Sequence, residues 1–107
     1  MIEDEMLVEL RFDSDGKDSL DTSVTSLAPL DVEVSDTSRD PTIVVALTVA
    51  AAAVKLATEL INLWKELKNK GKEKGIFLVK VDENNKEISI SLLESSEVEI
   101  EKFVLNK

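Results

Sequence analysis

The stretch best suited to chemistry is Asp13-Ser14-Asp15-Gly16-Lys17-Asp18, which gathers three carboxylates around a glycine. Acids at alternate positions ahead of a glycine resemble the opening of a calcium loop, in which carboxylate oxygens converge on one hard cation. Such a loop also needs the remaining ligand spacing and a closing Glu at its twelfth position, and neither follows here. The competing reading is an Asx turn, with an Asp side chain accepting hydrogen bonds from backbone N–H groups just ahead and capping the next segment.

The rest of the inventory excludes more than it offers. There is no Cys, so a disulfide, a thiolate nucleophile and a thiolate metal site are all excluded. There is no His, which removes the commonest general base and the commonest metal ligand. Carboxylates and Lys would have to carry any catalysis, and with 22 acids in the chain no pair stands out. Gly16, Gly71 and Gly75 stand apart and make no phosphate-binding loop. No catalytic residue, metal or cofactor is therefore assigned, and the chain reads as a non-enzyme.

The net charge of −9 is unevenly placed. Residues 1–40 carry 12 acids and 3 bases, whereas residues 41–107 carry 10 of each. An acidic chain repels phosphate, which argues against nucleic acid as a partner. Lys65, Lys68, Lys70, Lys72 and Lys74 form a basic cluster diluted by Glu66 and Glu73, read as a solvated helix end favoured by the helix dipole. Phe77 alone is no stacking platform for bases. Trp64, with Leu60, Ile61 and Leu67 nearby, reads as a core or helix–helix anchor.

The elements that would position these residues follow from periodicity. Met6, Val8, Leu10 and Phe12 alternate with charged residues and predict a strand with one buried face. Leu20, Val24 and Leu27 are spaced for a short helix of low propensity, and Leu30, Val32 and Val34 for a second strand. Asp40 and Pro41 form a helix-start signal, from which a long helix is predicted to run from Thr42 to about Lys70 and stop at Gly71. "GIFLVKVD" and "EISISLL", joined by the turn "ENNK", predict a hairpin. Ser96 with Glu99 forms a capping box ahead of a closing helix bearing Ile100, Phe103 and Val104; a fifth strand through Val98 and Ile100 is the alternative. The expected fold is α+β, a single two-layer domain over 1–107. Its elements run β-α-β-α-β-β-α, with about four strands and one long Ala-rich helix packed on the sheet.

The uncharged run from Thr42 to Val54 has 13 residues, short of the roughly 20 needed to cross a bilayer. Lys55 and Glu59 follow it, and each would cost about 2.5–3.5 kcal/mol at a membrane centre. No secretory signal opens "MIEDEMLVEL", and a cytoplasmic location is the default expectation. A helix apolar all round is buried on more than one side. Two readings follow. In one, Leu20, Val24 and Leu27 lie over it within the chain. In the other, the small residues Ala50 to Ala53 form a surface for self-association or for a partner protein.

"ALTVA" (Ala46–Ala50), the following small-residue helix ending "LINLWKELK", the hairpin "FLVKVDENNKEISISL" and a closing helix are together similar to one family. The chain resembles the effector-associated constant component domains of bacterial conflict systems, most closely over 43–92. In that family a strand–helix–strand unit leads into an Ala/Gly-rich helix ending near a Trp and basic residues, followed by a hairpin and a short helix. The helix here has less Gly than the family's, and "DENNKE" replaces a turn that usually carries Pro, Asp and Gly. The resemblance implies a non-enzymatic adaptor that couples an effector, often peptidase-like, to a sensor or regulatory partner. On the predicted helix, Leu47, Ala50, Ala53, Val54, Ala57 and Trp64 would then form the protein-interaction face, with a homo-oligomer as one form of contact. The rival expectation is a small acidic inhibitor, antitoxin or nucleic-acid mimic acting through residues 1–40.

Overall fold

The computed structural model describes residues 5–35, 42–82 and 84–105. Along the chain these form β1 (Glu5–Asp13), a 3-10 turn at Lys17–Ser19, α1 (Leu20–Leu27), β2 (Asp31–Ser35) and β3 (Ile43–Ala52). They continue with α2 (Ala53–Asn69), β4 (Ile76–Val81), β5 (Glu87–Ser91) and α3 (Glu97–Leu105). One antiparallel sheet runs in the order β2-β3-β1-β4-β5. The expected α+β class stands, with five strands rather than about four.

The main correction concerns Thr42 to Lys70. The segment is two elements, not one helix: Ile43–Ala52 is a strand, and the helix begins only at Ala53. Asp40 and Pro41, taken as the helix start, lie outside the described residues, as does Glu83 in the hairpin turn. The physical reason is that an apolar run is ambiguous by periodicity, because a strand inside a sheet can also be apolar on both faces. Ile43, Val44, Val45, Thr48 and Val49 are β-branched and suit the pleated conformation. Val45, Leu47, Val49 and Ala51 point into the core, while Ala46, Thr48, Ala50 and Ala52 point away from it.

β3 and β4 lie on opposite sides of β1, and each is antiparallel to it, so they run parallel to one another. Parallel strands cannot be joined by a tight turn and need a long crossover, which α2 supplies. α2 turns Leu56, Ala57, Leu60, Leu63 and Leu67 inward against Val8, Leu10, Phe12 and the inward face of β3. Its polar side carries Lys55, Asn62 and Glu66. The helix ends where the sequence predicts. Gly71 adopts φ 82°, its N–H reaches the Lys68 carbonyl, and the Lys72 N–H reaches that of Leu67. These two bonds are the Schellman closure that a left-handed Gly permits.

α1 packs against α2, as in the first of the two readings, and α3 packs against α2 as well. Of the two readings of 96–104, the structure adopts the helix. The Glu99 N–H donates to Ser96 Oγ at 3.2 Å, and the Ser96 N–H donates to Glu99 Oε1 at 3.0 Å. Trp64 ties α2 to the start of α3 through its indole N–H, 3.0 Å from the Ser95 carbonyl. The three helices therefore form one layer on one face of the sheet. Among the described residues no helix is long and apolar enough to cross a membrane.

Candidate interaction surface

The acidic turn at 13–18 is built as an Asx turn. Asp13 Oδ1 accepts from the Asp15 N–H at 2.8 Å and the Gly16 N–H at 3.1 Å. Asp18 pairs with Lys72, and Asp15 lies 3.7 Å from Lys74. The Lys72 ammonium, through its hydrogen bond, lowers the Asp18 carboxyl below its usual range. Among the described residues no three acidic side chains gather to hold a metal. The basic cluster is absorbed by the same contacts. Lys70 donates to Thr22 Oγ1 at 3.1 Å, Lys68 lies over the Trp64 ring, and Lys65 sits 3.4 Å from Glu97. Three lysines of the run, Lys65, Lys72 and Lys74, thus face acids distant in the chain, while Lys65, Lys68, Lys70 and Lys74 stay exposed, as a solvated helix end requires.

Strand register defines a second surface. Residues paired across antiparallel strands share a face. Leu7 pairs with Ala50, and Ala50 also pairs with Asp31. Glu9 pairs with Thr48 and with Val79, and Thr48 with Glu33. Arg11 pairs with Ala46 and with Phe77. All of these point away from the helical layer, and no helix among the described residues covers them. Leu7 is 61% exposed and Val81 56%, which is unusual for apolar residues within a sheet. Each lies two residues beyond the Glu9–Val79 pair in the same direction, with Ala50 and Ala52 alongside on β3. The result is a shallow apolar lane flanked by carboxylates: Asp31 and Glu33 on β2, Glu5 and Glu9 on β1, and Glu87 on β5.

Arg11 is the one cation projecting from the described strands on this face. Its guanidinium donates to both oxygens of Glu87, each at 3.0 Å, and to Glu9 on its own strand. These two carboxylates, Glu87 foremost, raise its pKa further above its already high ordinary value. Because β4 lies between β1 and β5, the side chain crosses over that strand. Val79, which points to this open face, is nonetheless buried there. The open face is therefore closed at Val79 and Ala46 and open at Leu7 and Val81.

The residues singled out in sequence are scattered by this geometry. Leu47 and Ala57 are buried in the core and present no surface. Trp64 is half-buried and committed to Ser95. Ala53 and Val54 open α2, Val54 exposed and Ala53 half-buried. Ala50 alone of the six lies in the open lane. The small-residue helix face expected at Ala50 to Ala53 does not form, because Ala50, Ala51 and Ala52 alternate sides along β3. Sequence reading missed Leu7, Arg11, Val81 and Glu87. A signal was present for Leu7, which fills with Leu an outward position of β1 whose neighbours are Glu5, Glu9 and Arg11.

A crevice of about 730 Å³ lies between α3 and the sheet, lined by Met6, Ile88, Ile90 and Phe103 with Lys80 in its wall. Lys80 occupies an inward position of β4, after Ile76 and Leu78. Its ammonium donates to the Phe103 carbonyl in the last turn of α3 and sits 4.8 Å from the ring centroid of Phe103. Burial lowers its pKa. A cation on a helix C-terminal carbonyl is a capping arrangement.

No protein-family model matches the chain, and neither a curated protein nor a solved structure matches it.

Proposed function

We propose that this chain is a non-enzymatic protein–protein interaction domain, an adaptor of a bacterial immune or conflict system that couples an effector such as a peptidase to a partner. The resemblance over 43–92 motivates the biological setting. The observation that carries the interaction role is Leu7, 61% exposed in mid-strand beside Ala50, on a sheet face that no described helix covers. Burying such apolar surface against another protein yields roughly 25 cal/mol per Å² before the costs of association. The contact surface is the open sheet face, not the helix first expected to provide it.

The test is affinity capture from the native host with the full chain and two surface variants, Leu7→Lys and Val54→Lys. The adaptor reading expects an effector enzyme or its regulator to be captured by the wild type and by Val54→Lys and lost with Leu7→Lys. Capture that survives Leu7→Lys would overturn the assignment of this face. Light scattering over a concentration series adds the homotypic case. A dimer that resists salt and dissociates on Leu7→Lys would make the partner a second copy.

The rival reading, an acidic inhibitor or nucleic-acid mimic, draws on Asp31, Glu33, Glu5 and Glu9, which share the open face. It expects binding that collapses as salt rises and is indifferent to Leu7, because a phosphate mimic works through charge alone.

A further inference from the structure

We infer that the occupant of the open lane is a cationic amphipathic helix of another protein, its apolar stripe on Leu7, Ala50, Ala52 and Val81 and its Lys or Arg flanks on the carboxylates beside them. This rests on the docking reading above and names the partner's chemistry. Three observations converge on it.

The first is sign. Glu5, Glu9, Asp31, Glu33 and Glu87 lie on this face, and Arg11, the one cation among the described strand residues there, is engaged by Glu9 and Glu87. A second copy stacked face to face would set these acids against their own kind, which disfavours association. Phosphate-bearing partners, both nucleic acid and an anionic membrane surface, are repelled in the same way. A cationic partner gains most from Glu5, Asp31 and Glu33, which Arg11 does not engage.

The second is shape. The lane floor at Ala50 and Ala52 is low, while Leu7 and Val81 stand above it. An open antiparallel face buries itself against helices, as the opposite face of this same sheet already does with α2. The apolar row runs across the strands, Ala50 on β3, Leu7 on β1 and Val81 on β4, with Ala52 beside it. From β2 to β5 the four strand spacings amount to roughly 19 Å, so a helix of roughly 16 residues, about 24 Å long, would cover the row from end to end.

The third is arrangement. Carboxylates lie on both sides of the row, Glu5 on one and Glu9 with Glu33 on the other, and Asp31 on β2 and Glu87 on β5 close its two ends. An amphipathic helix carries its polar residues on both shoulders of its apolar stripe. The two patterns match side for side.

The test uses the full chain, labelled with ¹⁵N, and three synthetic helical peptides of roughly 16 residues, about 24 Å long. One has a Leu/Ala stripe with Lys shoulders, the second keeps the stripe with Glu shoulders, and the third scrambles the Lys peptide to abolish the stripe. Amide shifts report the site and titration reports affinity. The expected result is that the Lys-shouldered peptide shifts Leu7, Glu9, Thr48 and Ala50 and binds at least roughly tenfold more tightly than either control. Its affinity should fall with salt, fall several-fold in the Asp31→Asn, Glu33→Gln double variant, and vanish in Leu7→Lys. Equal binding of the Lys- and Glu-shouldered peptides in the lane would overturn the cationic partner while leaving the docking face intact. Shifts confined to the helical layer would overturn both. No binding by either stripe peptide at millimolar concentration would overturn the helical partner alone.

Discussion

Arg11 and Glu87 are joined by two parallel hydrogen bonds of 3.0 Å although β4 separates their strands. The bond crosses the outer face of β4, where Val79 is buried although it points away from the helical layer. Part-exposed ion pairs contribute little, about 0.2–1 kcal/mol, because water screens them. The apolar cover adds to that. Arg11→Met, which keeps a comparable apolar stem, is expected to cost at most about 1 kcal/mol, and Arg11→Ala more, since it also uncovers Val79. Urea unfolding of both variants checks the order; equal losses would show that the stem contributes nothing.

Leu47 and Leu7 lie on neighbouring strands and point to opposite faces. Leu47 is wholly buried, while Leu7 is 61% exposed. Leu47→Ala should destabilise by about 2–5 kcal/mol, the cost of a core cavity. Leu7→Ala should stay within about 0.5 kcal/mol, as surface changes do. Thermal denaturation of the two variants settles which face is which, and comparable losses would contradict the register.

The same pair shows what could be read in the sequence and what could not. Alternation gave β1, β2 and β5 to within two residues, because one polar face makes the period of two visible, whereas β4 was legible from its β-branched and aromatic content. The Ser96–Glu99 box and Gly71 marked their helix ends, because capping chemistry is local. β3 was misread because Val45, Leu47 and Val49 face a helix while Ala46 and Ala50 face outward, and both sets are apolar. A run without polar punctuation carries no period. The interaction surface was illegible for a related reason: Leu7, Ala50, Asp31 and Glu87 come from four strands, and only register brings them together.

Gly16 and Gly75 touch back to back where the 13–18 turn meets the start of β4. A Cβ placed on Gly16 would come 2.1 Å from the Gly75 carbonyl oxygen, and the contact is backbone, which cannot swing aside. The Asp13 N–H donates to that same carbonyl at 3.0 Å, so separating the segments also breaks the end of the β1–β4 seam. Gly16→Ala is expected to cost about 3 kcal/mol, at the upper end of overpacking effects. A Tm within a few degrees of wild type would show that the turn relaxes freely.

Lys80 provides a pH test with a fixed sign. Its inward position on β4 strips water from the ammonium, and this desolvation outweighs the raising effect of Asp82, so its folded pKa lies below the ordinary 10.5. Between the folded and unfolded pKa values the unfolded chain binds more protons, so stability rises with pH across that window. Lys80→Met keeps an apolar stem in the crevice and removes the titration. The other lysines are common to both proteins, and with no Cys and no Tyr in the chain few other groups titrate there. Relative to wild type, Lys80→Met should therefore be at its most favourable below the lowered folded pKa and lose ground as pH rises from there towards the ordinary 10.5, whichever protein is the more stable in absolute terms. Denaturant unfolding of both proteins over this range reads the difference directly. A gap that stays constant or moves the other way would mean that the Phe103 carbonyl compensates the ammonium fully for the water it loses.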